Sequence, residues 1–194
     1  ADSPDSNVGF LSDYTNLKRS SFDPLTQYYI TPSAHKKLAT YKAILVEQPH
    51  IFIATESPYQ GFKPAQMNAI SEALRVAVIQ RLSNDFTIAT EPGNGVLYLR
   101  LALTDFSINK DRIHILGYTP VGLIFRGLRM AANSSFENAV QHLSLVSVKI
   151  EGEVSDSQSA EVLGQFIDSR PTSSDPETWE QLLQELLQFG VLVD

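Results

Sequence analysis

The stretch Asp85-Phe-Thr-Ile-Ala-Thr-Glu-Pro-Gly-Asn-Gly-Val-Leu-Tyr-Leu-Arg-Leu-Ala-Leu-Thr-Asp-Phe106 decides the fold. From Val96 on, the side chains alternate. Leu97, Leu99, Leu101 and Leu103 fall on one face, and Val96, Tyr98, Arg100, Ala102 and Thr104 on the other, the two-residue period of an extended strand. A strand of this length requires a sheet. The preceding Glu91-Pro-Gly-Asn-Gly95 has the composition of a tight reversal, so Phe86–Thr90 is expected to fold back antiparallel beside Val96–Thr104.

Working outward, Lys42–Ala54 reads as a first long strand interrupted at Pro49, because proline cannot donate to a ladder. Gln27–Ile30 suits a short edge strand. Ser33 is placed to cap two turns of helix ending near Thr40, with Lys36 and Lys37 on a solvated face. Pro64 opens a helix to about Ser83. Met67, Ile70, Leu74, Ala77, Val78 and Leu82 form its apolar stripe, and Met67 reads as a core filler. Asn109–Arg112 reads as a polar turn. Residues 118–133 outline a second helix, with Gly122 and Gly127 each weakening it by about 1 kcal/mol relative to alanine. Gln141–Val154 and Ala160–Asp168 alternate around Ser155–Ser159 as a second hairpin, Arg170–Asp175 is a linker, and Asp175 caps a final helix whose stripe is Trp179, Leu182, Leu183, Leu186 and Leu187. The expected fold class is α+β, a two-layer α/β sandwich: a mostly antiparallel or mixed β-sheet of about five strands, with two or three helices mainly on one face.

Residues 1–8 form a polar leader or tether, and residues 9–194 a single domain. Within the latter, Gly9–Tyr14 concentrates Phe10, Leu11 and Tyr14, so the arm is expected to anchor on the body. Fifteen basic against 22 acidic residues give a formal charge of −7, which argues against a nucleic-acid partner. The absence of cysteine removes disulfides, thiolate metal sites and a thiol nucleophile. No stretch reaches the roughly 20 apolar residues that cross a bilayer as a helix. The opening Ala-Asp-Ser-Pro-Asp-Ser-Asn reads like residues left after a removed export signal.

His35, His50, His114 and His142 are scattered without ligand spacing, so neither a metal nor a cofactor is expected. No Gly-x-Ser-x-Gly elbow is present, and Gly93-Asn-Gly95 joins two strands where a phosphate loop would join a strand to a helix. Arg100 is a candidate for a cross-strand ion pair or an anion contact, and Asp105 for a turn cap or a base. Glu47, Glu151 and Glu153 match no recognised carboxylate spacing. Arg126 and Arg129, within the apolar segment 121–132, are candidate binding residues. There an interfacial membrane helix competes with a core helix carrying two solvated arginines.

Three motifs resemble one family. Gly9-Phe-Leu-Ser-Asp-Tyr-Thr-Asn-Leu17, Tyr41-Lys-Ala-Ile-Leu-Val46 and Glu91–Phe106 are similar, in order and spacing, to the bacterial lipoprotein family known as domain of unknown function 3313. The resemblance covers residues 9 to 190. It implies an exported envelope protein of the periplasm, anchored at the outer membrane by a lipidated cysteine that would precede Ala1. It brings no catalytic residues. The function expected is therefore non-enzymatic binding of an envelope protein or lipid partner, with the membrane met only through that anchor. The alternatives are a small-molecule or lipid carrier or hydrolase, with a pocket between the sheet and segment 121–132, and a structural component that forms homo-oligomers.

Overall fold

The computed structural model describes residues 9–21, 26–55, 57, 60–61, 63–110 and 143–171. The expected leader (1–8), the helices expected at 118–133 and 175–190, and the pocket beside segment 121–132 lie outside the described residues. The elements run in chain order β1 (Lys18–Arg19), β2 (Thr26–Ile30), α1 (Ala34–Lys37) continued by a 3₁₀ turn (Leu38–Thr40), β3 (Ala43–Val46), β4 (His50–Ile53), α2 (Pro64–Leu82), β5 (Thr87–Ile88), β6 (Val96–Lys110), β7 (Leu143–Asp156) and β8 (Val162–Pro171).

The strands form one open mixed sheet of eight among the described residues, where the sequence suggests about five. Its order is β1-β2-β8-β7-β6-β3-β5, with β4 also paired to β6. The added strands come from short pieces. Pro49 splits one expected strand into β3 and β4, which pair in parallel with successive parts of β6. The two-residue strands β1 and β5 extend the sheet beyond β2 and β3. Lys18 and Arg19 are exposed, so the outer strand at the β2 side is short and charged, which discourages further pairing.

The expected Phe86–Thr90/Val96–Thr104 hairpin does not form. Thr87–Ile88 pairs in parallel with β3, and β3 lies between it and β6. Ala43 is level with both Thr87 and Val96, so the loop returns the chain to the starting end of β3. Gly95, at φ 71, takes the left-handed conformation that glycine adopts without a Cβ clash, and its carbonyl accepts the N–H groups of Lys42 and Ala43. The turn residues thus carry the chain around an inserted, wholly apolar strand.

The β7–β8 hairpin is antiparallel throughout and is longer than expected, running through Arg170 and Pro171 of the expected linker. β6 likewise runs through Asn109 and Lys110 of the expected turn. Ser33 makes no side-chain cap; its hydroxyl donates to Glu161, and Lys37 forms an ion pair with the same carboxylate at 2.6 Å.

On one face the odd-numbered leucines of β6 join Ile44, Val46, Ile150, Leu163 and Phe166, and α1, its 3₁₀ continuation and α2 bring Ala34, Leu38, Ile70, Leu74, Val78 and Leu82 into the same core. The stripe on α2 recurs every four residues, the spacing that aligns side chains on one helix face. Met67 is half-buried at its border and does not fill the core. The break at Pro49 is satisfied from this helix: the buried Ser71 hydroxyl donates to the Pro49 carbonyl and accepts from Gln48 Nε2. On the opposite face Phe10 and Leu11 of the N-terminal arm pack with Ala102 and Ile167, flanked by Tyr14, Leu17 and Phe52. The two faces are separated by the alternation read in Val96–Thr104.

Candidate functional site

Arg100, Glu151 and Glu153 gather on the face that the arm covers. Arg100 of β6 stands directly opposite Glu153 of β7, which stands opposite Gln165 of β8. One step along, Ala102, Glu151 and Ile167 form the adjacent row. Strand register therefore sets these groups side by side before any loop is involved.

Glu153 Oε2 accepts three hydrogen bonds, from the Ser12 N–H at 2.9 Å, the Ser12 hydroxyl at 2.7 Å and Gln165 Nε2 at 2.8 Å. Its Oε1 faces Arg100 Nη1 at 3.5 Å. Burial pushes the Glu153 carboxyl up, but the bonds from Gln165 and Ser12, with the Arg100 charge, outweigh it and hold the group below its ordinary value. The Tyr14 hydroxyl donates to Glu151 Oε1 at 2.6 Å and accepts the N–H groups of Phe10 and Leu11. Burial, then the Glu151 bond, raise the Tyr14 phenol to about 12.

Arg100 is the hub. Its guanidinium carbon lies 4.6 Å from the centre of the Phe10 ring, a cation–π contact, and its Nε lies 3.5 Å from Glu47 Oε2. The buried Glu47 Oε2 makes no hydrogen bond, although His50 Nε2 also stands 3.5 Å away. Burial first, and then the neighbouring Glu47 carboxylate, raises the Tyr98 phenol to about 12. Phe10, His50 and Phe52 form an aromatic cluster beside it, with ring centres 5.8–6.4 Å apart.

Of the residues proposed from sequence, Arg100 occupies this network with the cross-strand pair it was a candidate for. Asp105 lies apart, at φ 48 where the β6–β7 register shifts, in an ion pair with Lys149 at 3.2 Å. Arg126, Arg129, His114 and His142 lie outside the described residues. His35 is exposed on α1. No group of three potential metal ligands occurs among the described residues. Glu47, Glu151 and Glu153 show no carboxylate spacing in the sequence because they do not pair with one another. Their partners are instead Arg100 and arm hydroxyls from Ser12 and Tyr14. The available signal was two acidic residues at i and i+2 on a strand opposite an arginine, together with an aromatic-rich arm.

The network places several carboxylates and one guanidinium within hydrogen-bonding range, each engaged by a neighbour. Chemically it can fix a peptide segment with hydroxyl and aromatic side chains, because buried carboxylates reward donors and a guanidinium rewards an aromatic face.

Solved structures offer distant likenesses. A PelC dodecamer from Paraburkholderia phytofirmans has 11% identity and a TM-score of 0.40, over 84% of this chain and 95% of that one. Protein XCC0632 from Xanthomonas campestris, of the DUF330 family, has 17% identity and a TM-score of 0.38, over 78% and 82% respectively. No curated protein matches the chain. A family model matches residues 6–185, nearly the whole sequence, and the chain belongs to that family, the proteins of unknown function DUF3313.

Proposed function

We propose that this chain is a non-enzymatic domain of the bacterial cell envelope that binds a protein or envelope partner. We read it as a two-layer α+β domain, exported to the periplasm, with its signal peptide removed and a lipid anchor at the outer membrane. The observation that supports a binding role is the engagement of the polar groups on the arm-covered face. Arg100, Glu151, Glu153 and Gln165 are used in holding residues 10–14 against the sheet. A general acid or base needs an approach for substrate within hydrogen-bond reach, and here the arm takes that approach. The polar leader suits a tether between a membrane surface and the domain.

The test is affinity capture of the full-length protein, expressed from its own precursor, out of solubilised envelope membranes. The expected result is a protein recovered in stoichiometric amount in the membrane fraction. Recovery of a bound lipid alone, or of the protein from the cytoplasmic fraction, overturns the reading.

A further inference from the structure

Residues 9–17 are held as a ligand is held. Among the described residues no backbone-to-backbone hydrogen bond joins them to a strand. The arm is gripped through side chains, by two neighbouring cross-strand rows, Arg100–Glu153–Gln165 and Ala102–Glu151–Ile167. Phe10, Leu11, Ser12 and Tyr14 each meet a matching receptor group. The Phe10 ring lies under Arg100, Phe10 and Leu11 pack with Ala102 and Ile167, Ser12 donates twice to Glu153, and the Tyr14 phenol donates to Glu151. Glu151, Glu153 and Gln165 are 2%, 5% and 2% exposed under the arm. Two carboxylates so enclosed discriminate against any occupant without donors at those two points.

The occupant also carries part of its own shape. The Tyr14 oxygen accepts the N–H groups of Phe10 and Leu11, and Asp13 accepts the N–H and hydroxyl of Thr15. A segment organised by its own bonds loses less freedom on docking. The arm is therefore a compact recognition unit, and its receptor is a rigid patch at the centre of the sheet.

We infer that the arm and its receptor are a transferable pair: the site accepts the same Phe10–Tyr14 segment from a second copy of this chain, giving an arm-exchanged dimer. The exchanged form re-makes each contact of the closed monomer, which is what makes such swaps inexpensive. Its population is set by the concentration of neighbouring copies relative to that of the chain's own arm. The inference rests on the docking geometry and does not depend on the compartment or on the partner proposed above.

Complementation between two full-length variants tests it. One carries Ser12→Ala and Tyr14→Phe, with the receptor intact; the other carries Glu151→Gln and Glu153→Gln, with the arm intact. Native mass spectrometry and light scattering are expected to show a heterodimer in the mixture and in neither variant alone. Two variants with wild-type circular dichroism whose mixture stays monomeric overturn the inference. Should the receptor variant not fold, a labelled peptide of residues 9–17 is titrated onto the arm variant. Saturable binding is expected, weakened about tenfold or more when the peptide carries the same two substitutions. No binding, or binding indifferent to those substitutions, overturns it.

Discussion

Gly152 lies beneath the ring of Phe166, directly opposite it across the β7–β8 ladder, and a Cβ built at position 152 would stand 2.3 Å from the ring's Cε1 and Cζ atoms. Leu101 Cδ2 closes the other side at 3.1 Å. The glycine is there because the ring fills its side-chain space. Gly152→Ala is expected to destabilise the fold by about 1–3 kcal/mol through overpacking. Phe166→Leu in the same chain should recover part of that loss, an interaction that a double-mutant cycle in urea would measure. A neutral Gly152→Ala would show that the ring moves freely.

Tyr14→Phe removes one oxygen that serves three groups: Glu151 and the N–H groups of Phe10 and Leu11. The expected cost is about 1–3 kcal/mol, the range for stranding buried polar groups. Hydrogen exchange should quicken at the Phe10 and Leu11 amides while β6 and β7 keep their protection. Equal loosening of the sheet would mean that the arm is integral to the core.

Glu153→Ala takes the acceptor from the Ser12 N–H, the Ser12 hydroxyl and Gln165, and leaves Arg100 with Glu47. A loss of about 2–4 kcal/mol is expected, because removing one partner of a buried network leaves the others uncompensated. Combined with Tyr14→Phe the losses should fall short of additive, since either substitution frees the same segment. Denaturant midpoints of the four chains check this.

Asp156 provides the pH test. Its carboxylate accepts the Tyr41 hydroxyl at 2.6 Å and the N–H groups of Gln158 and Ser159. The Tyr41 bond first, then the backbone N–H groups, lower its pKa from 3.8 to about 2. A carboxyl lowered on folding stabilises the folded state above its unfolded pKa, and that contribution fades as pH falls from 3.8 toward about 2. The stability difference between the wild-type chain and Asp156→Asn is expected to be constant near neutrality and to shrink over that interval. Thermal unfolding at stepped pH measures it, and a difference that holds unchanged down to pH 2 would contradict the assignment.

Ser71→Ala strands the Pro49 carbonyl and one donor of Gln48. A loss of about 1–2 kcal/mol is expected from equilibrium unfolding. The cause is specific to the gap between β3 and β4, so exchange should quicken first at the amides around residues 47–51.

The sequence made the periodic elements legible. Alternation placed Leu97–Leu103 in the core, the stripe at Ile70, Leu74, Val78 and Leu82 gave α2, and Pro49 marked the interruption between β3 and β4. These are local properties of a chain that must bury one side of each element. Neighbour identity was not legible. Glu91–Gly95 reports that the chain reverses, but its composition is the same whether the returning strand lies alongside or beyond an inserted one. The site was hidden for a related reason. Arg100 could be placed on a face, yet Glu151 and Glu153 alternate as solvent-facing residues would, and only the folded arm turns that position into an enclosed one.

The bonds that seat the arm join Ser12 to Glu153 and Tyr14 to Glu151, separations of 141 and 137 residues. The arm thus has no seat until Glu151 and Glu153 have been made. Its closure belongs late in folding, after the ladder between β6 and β7 exists. A mispaired chain would leave its Phe10 and Leu11 uncovered, so the state of the arm reports whether the distant strands have assembled.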